Sequence, residues 1–132
     1  MNTSAKETVI AFLTAVQQGN NATLAALLHP EVQWLQAGNN KTSGLKQNAG
    51  EVFAMVGHMF AATENTLRLA AIGQACVCGN QVAVTLHWQS SAPAATPLDV
   101  ANIDMYTVEA GKITAVTVFS ADTEQEDRVW GV

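Results

Sequence analysis

Asp99-Val100-Ala101-Asn102-Ile103-Asp104-Met105-Tyr106-Thr107-Val108, then Glu109-Ala110-Gly111-Lys112, then Ile113-Thr114-Ala115-Val116-Thr117-Val118-Phe119, is the stretch whose reading decides the fold. Apolar and polar residues alternate along both arms, the two-residue period of a strand with one buried face. The glycine between the arms supplies a turn, so the arms form a hairpin. Asp104 interrupts the apolar alternation of the first arm. A carboxyl group there is costly unless it is paired, protonated or facing a cavity. It is therefore the first candidate for chemistry.

The same alternation extends upstream. Thr66 to Cys78 and Gln81 to Ser90 read as strands, and Gly79-Asn80 between them is a two-residue hairpin turn. With that turn Val77 faces Val82, Ala75 faces Val84, Gly73 faces Leu86 and Ala71 faces Trp88. One face then gathers Val82, Val84, Leu86 and Trp88, while the other gathers Ile72, Cys76, Ala83, Thr85 and His87. On the last hairpin Asn102, Asp104 and Tyr106 share a face, opposite Ile103 and Met105. Ser91 to Pro97 is a polar connection between the two hairpins.

Helical signals fill the first half. Ser4-Ala5-Lys6-Glu7 is a capping box, followed by Val9, Phe12, Leu13 and Val16 at helical spacing and by Gly19 as a stop. Asn21 can cap a second helix through Leu28, closed by His29-Pro30. Val32 to Leu35 is a short strand and Gly38 to Lys41 a loop. The longest helix is expected from Leu45 to about Thr63, with Val52, Met55, Val56, Met59 and Phe60 on its apolar face. A tail helix near Thr123 to Val129 takes Asp122 or Thr123 as its cap. Three helices followed by a four-strand antiparallel meander make an α+β plan, with the helices on one sheet face. Both sheet faces are apolar and the helices cover one, so the pattern predicts a homodimer through the outer sheet face.

At 132 residues the chain is expected to be one domain, 1–132. Hydrophobic residues make up 48% and charged ones 13%, consistent with apolar surface covered by a partner chain. Eleven acids stand against six Lys and Arg, and four of the acids (Asp122, Glu124, Glu126, Asp127) lie in the tail. Without a basic patch, neither nucleic acid nor an anionic membrane surface is an expected partner. Cys76 and Cys78, two apart on one strand, are poorly placed to pair and read as small buried hydrophobes in a reducing compartment. The apolar run Val9 to Val16 follows Glu7 and lacks a convincing cleavage site, and nothing reaches transmembrane length. The expected location is the cytoplasm.

The order of elements resembles the nuclear transport factor 2-like superfamily, closest to its SnoaL-like and ketosteroid isomerase-like branch. The likeness spans essentially the whole chain. It rests on the helix ending Gln17-Gln18-Gly19-Asn20, on Val32-Gln33-Trp34 followed by Ser43-Gly44, on Gly111-Lys112-Ile113, and on Asp122 followed by Trp130. It implies a cone-shaped, curved antiparallel sheet wrapped around N-terminal helices (a cystatin-like roll), an apolar pocket and a dimer. In a ketosteroid isomerase the pocket holds a tyrosine, a base aspartate and a protonated aspartate. The resemblance places Phe12 and Leu35 at the first two positions and keeps only the third, as Asp104 in Asn102-Ile103-Asp104. Limonene-epoxide hydrolases of the same fold use an arginine between two aspartates, and the matching positions hold Leu86, Trp88 and Val118.

The candidate catalytic residues are therefore Asp104, then Tyr106, then His58. Each also has a structural reading: an acid bonded within its strand, strand neighbours that satisfy one another, and a helix-surface histidine. For ligand binding the candidates are Phe12, Val16, Trp34, Leu35, Met55 and Met59 on the helical side, with Phe60 beside them. On the sheet they are Val84, Leu86, Trp88, Asn102, Val116 and Val118. His29, His58 and His87 have no metal-site spacing, so neither a metal nor a cofactor is expected. Three readings stay open. One is a small isomerase-, cyclase- or hydratase-type enzyme acting on an apolar carbonyl-bearing molecule by acid/base chemistry without metal. The others are a non-catalytic module that binds such a molecule and a dimerisation module with a filled pocket.

Overall fold

The computed structural model describes residues 4–132. Its elements are α1 (Ala5–Gln18), α2 (Asn21–Leu27), β1 (Leu28–Gln36), β2 (Gly44–Lys46), α3 (Ala49–Ala62), β3 (Arg68–Cys78), β4 (Gln81–Gln89), β5 (Asp99–Glu109), β6 (Lys112–Ser120) and α4 (Thr123–Trp130). The strands form one curved, unclosed sheet in the order β2-β1-β6-β5-β4-β3. β3 to β6 are the antiparallel meander expected from the two hairpins. The sheet extends further than that meander. β1 lies parallel to β6, with Trp34 beside Val116 and Leu35 beside Thr117, and β2 pairs antiparallel on the other side of β1.

Local signals explain the helix ends. Ser4 Oγ accepts from the Glu7 amide at 3.1 Å and its hydroxyl donates to Glu7 Oε1, while Gly19 closes α1 in the left-handed conformation. Asn20, rather than Asn21, caps α2. His29-Pro30 does not end a helix but lies in β1, where the register is irregular between Leu28 and Gln33 and a missing amide proton is tolerated. α3 starts at Ala49 under an Asn48 cap, later than expected, because Gly44–Lys46 pairs with β1. Asp122 caps α4 by accepting from Gln125 N.

The β3–β4 pairing departs from the simple hairpin register. Two irregularities put Ile72 opposite Leu86 and Leu69 opposite Trp88, in place of Gly73 and Ala71. Ile72 thereby turns onto the core side instead of the outer face. Gly73 makes this possible: a Cβ there would lie 2.1 Å from Thr85 Oγ1, which accepts from Gln74 N at 3.1 Å.

α1 and α3 pack on the inner sheet face through Val9, Phe12, Leu13, Val52, Met55 and Met59, against Val82, Val84, Leu86, Tyr106, Val116 and Val118. The outer face keeps Leu35, Leu45, Ile103 and Phe119 about half exposed. Cys76 and Cys78 are exposed as well, not buried as expected, because no element of this chain covers that side of β3. Among the described residues no helix is long and apolar enough to cross a membrane.

Candidate functional site

A cavity of about 430 Å³ lies between α1, α3, α4 and the inner sheet face. Its walls are mostly apolar: Phe12, Leu13 and Val16 from α1, Val52, Met55 and Met59 from α3, Trp34, Trp88 and Val118 from the sheet. Gln17, Gln18, Phe53, Phe60 and Arg68 are exposed residues of its rim. Polar groups are concentrated on β5 and α4, as Asn102, Asp104, Tyr106 and Glu126, with Gln36 from β1.

Strand alternation brings the β5 residues together. Asn102, Asp104 and Tyr106 lie on the inner face opposite Leu86, Val84 and Val82 of β4. Tyr106 donates its phenolic hydroxyl to Asp104 Oδ2 at 2.9 Å, and Asp104 Oδ1 has no partner among the described residues. Asp104 is 3% exposed. Burial pushes its carboxyl up to about 7, the charge of Glu126 adds to that rise, and the Tyr106 hydrogen bond opposes it. Burial, together with the neighbouring Asp104, holds the Tyr106 phenol well above its ordinary value. The tyrosine ring is fixed by edge contacts with Phe12 and Trp34, at centroid distances of 6.0 and 6.5 Å. Near neutral pH, then, Asp104 Oδ1 can either donate a proton to a ligand oxygen or accept one from a ligand carbon or hydroxyl.

Glu126 is a cavity residue that sequence reading missed. It is 5% exposed, its Oε1 accepts from Trp130 Nε1 at 3.2 Å, and Oε2 has no partner among the described residues. The signal was present: Glu126 and Trp130 are four apart on a helix and so share one face, beside Val129. Gln36 was missed too; it accepts from Trp34 Nε1 at 2.9 Å. α4 is held in place by Asp127, whose Oδ1 accepts from Asn39 N and Asn40 Nδ2 at 2.9 and 2.8 Å. The Lys41 amide donates to the Gly131 carbonyl at 2.8 Å.

The remaining expectations sort cleanly. Phe12, Val16, Trp34, Met55, Met59, Trp88, Asn102 and Val118 line the cavity with Asp104 and Tyr106. Leu35 does not: β1 turns Trp34 and Gln36 inward, so Leu35 between them points out and is 45% exposed. Val84, Leu86 and Val116 are on the inner face but fully packed in the core rather than along the free space. His58 is also outside the lining; its Nε2 donates to the Trp130 carbonyl at 2.9 Å and so braces the end of α4. His87 is on the outer face, bonded to Asp99. Among the described residues no three His, Cys, Asp or Glu side chains are grouped so as to hold a metal ion.

Comparison with known proteins adds a lineage to this geometry. Residues 9–116 match the SnoaL-like domain. A protein of unknown function with a cystatin-like fold from Xanthomonas campestris is 33% identical, with a TM-score of 0.93 over 98% of this chain and 100% of that one. TerC, co-crystallised with polyporic acid, is 17% identical, with a TM-score of 0.83 over 97% of this chain and 98% of its own. An NTF2-like protein from Burkholderia xenovorans is 16% identical, with a TM-score of 0.77 over 96% and 95%. The last two likenesses are of fold alone. No match is found among curated proteins. With most of its length matched by one domain model and a third of its residues shared with a full-length structural neighbour, the chain belongs to the SnoaL-like domain family.

Proposed function

We propose that the cavity binds an apolar small molecule bearing a carbonyl group, and that Asp104 meets that group. The observation that carries this reading is the unpaired Oδ1 of a buried carboxyl in an otherwise apolar cavity. A protonated Asp104 donates from Oδ1 to the carbonyl oxygen and draws electron density from it, which acidifies the carbon next to the carbonyl. Tyr106 keeps Oδ2 occupied, so the free oxygen is the one turned to the ligand. Chemistry at this site is isomerase-, cyclase- or hydratase-type proton transfer, with Asp104 as acid or base. That TerC was crystallised with a small organic molecule supports the ligand-binding side of the reading.

A second reading is binding without turnover. It is favoured by what β1 turns into the cavity, Trp34 and Gln36, neither of which can serve as the base of an isomerase. Deuterium uptake at the carbon next to the carbonyl of tetralone, followed by proton NMR, separates the two. Uptake accelerated by the protein and abolished in Asp104→Asn supports catalysis. Calorimetric binding with uptake at the solvent rate leaves a binding module.

The outer sheet face is proposed as the surface that pairs two copies. Leu35, Leu45, Ile103 and Phe119 form its half-exposed apolar patch. Sedimentation velocity tests this: a dimer that Ile103→Lys converts to monomer supports the pairing, and a wild-type monomer overturns it.

A further inference from the structure

Three buried side chains along the cavity each carry one oxygen without a partner among the described residues: Asn102 Oδ1, Asp104 Oδ1 and Glu126 Oε2. A buried polar atom left unpaired is unfavourable, so such atoms mark positions a ligand completes. The three are not equivalent. Asp104 Oδ1, when protonated, serves a ligand carbonyl. Asn102 Oδ1 is an amide oxygen and can only accept. Glu126, which lines the cavity, already receives the Trp130 indole proton on Oε1, and its buried Oε2 is left as a second acceptor.

The protein offers these two acceptors little in return. Arg68 is the one Lys or Arg of the lining, stands at the rim and already donates to Gln89 Oε1 at 2.6 Å. A ligand that carries hydrogen-bond donors would satisfy both. Because the surrounding walls are aromatic and aliphatic, a donor placed there is carried on an apolar body.

Building on the carbonyl-binding reading above, we infer that Glu126 is a specificity-determining residue. Together with Asn102 it selects ligands that present a hydroxyl group in addition to, and apart from, the carbonyl met by Asp104. The carboxylate is held ready for this by its Trp130 bond, and α4 is in turn held by Asp127 and His58.

The test uses the full chain and three matched probes: tetralone, hydroxytetralones with the hydroxyl away from the carbonyl, and the corresponding methoxytetralones. Isothermal calorimetry gives an affinity for each. At least one hydroxytetralone is expected to bind wild-type protein about tenfold or more tighter than tetralone, since hydrogen bonds to a charged acceptor carry roughly that much. Its methoxy counterpart, which keeps the oxygen but not the donor, gains nothing. In Glu126→Gln the amide oxygen can still accept from Trp130, and an N–H donor replaces Oε2. The advantage of hydroxyl over methoxyl is then lost, because that N–H donates to either oxygen. Asp104→Asn changes tetralone and hydroxytetralone together, so it tests the carbonyl reading and leaves the hydroxyl ratio in place.

A wild-type ratio near one overturns the inference, as does a hydroxyl-over-methoxyl preference that survives Glu126→Gln. Tetralone that fails to bind while a hydroxytetralone binds through Glu126 overturns the role given to the carbonyl alone. If Glu126→Gln does not fold, the wild-type comparison of hydroxyl with methoxyl decides: equal affinities overturn the inference.

Discussion

Tyr106 gives its phenolic hydrogen bond to Asp104, two positions behind it on the same face of one strand, across 2.9 Å between two buried side chains. The bond favours the charged carboxylate, against the effect of burial. Tyr106→Phe removes that support while keeping the ring that packs on Phe12 and Trp34. The Asp104 carboxyl then titrates above its wild-type value of about 7, which carbon-13 NMR of the carboxyl reads directly. A lost buried hydrogen bond also costs about 1 kcal/mol of stability, measured by urea unfolding.

Because folding raises the Asp104 carboxyl from 3.8 to about 7, its folded form holds a proton that its unfolded form releases. Between those values the folded state binds more protons, so this residue's contribution to stability falls as pH rises and levels off above about 7. The full span is up to roughly 4 kcal/mol. Thermal melts of wild type and Asp104→Asn across this window isolate the effect. The wild type loses stability relative to the variant as pH rises, and a flat difference would count against a proton held at Asp104.

Gly73 is predicted to tolerate no side chain. Alanine there drives its Cβ into Thr85 Oγ1, and rotating that hydroxyl away forfeits its bond to Gln74 N. Gly73→Ala should destabilise by about 1–3 kcal/mol, with part recovered in the double variant Gly73→Ala/Thr85→Ala. The recovery is incomplete because the Thr85 carbonyl oxygen also stands 3.2 Å from the new Cβ. Urea midpoints of the four proteins in the cycle measure both.

Asp127→Ala removes the acceptor that ties α4 to Asn39 and Asn40. Losing it leaves two donors unpaired and should cost about 1–3 kcal/mol. The effect is expected to be local: amide hydrogen exchange should speed up in α4 and in the Asn39–Lys41 loop while β4 and β5 keep their protection. Uniform loss of protection would instead mean that α4 is part of the global folding unit.

Much of the site was legible because strand alternation is local. The period of two placed Asn102, Asp104 and Tyr106 together and inward, and helical spacing placed Phe12, Val16, Met55 and Met59 opposite them. What escaped was set by contacts distant in sequence. Nothing near Leu28–Gln36 says that it lies parallel to β6, since that pairing spans the chain. The bulge at Gly73 is a response to Thr85, twelve residues on, and it moved Ile72 to the other face. Leu35 was misplaced by carrying over a family position, although neighbouring residues of a strand point to opposite faces and Trp34 was already assigned inward. Glu126 looked like one more acid of an acidic tail until α4 docked.

The chain contains a single tyrosine and three tryptophans, and Tyr106, Trp34, Trp88 and Trp130 all line the same cavity. Its tyrosine and tryptophan emission therefore originates at the cavity wall. Trp130 reports through the indole proton it shares with Glu126, and Tyr106 through the one it gives Asp104. Occupancy of the cavity and the ionisation of Asp104 are thus written into the native optical spectrum, and an unlabelled sample can be screened against compound collections by light alone.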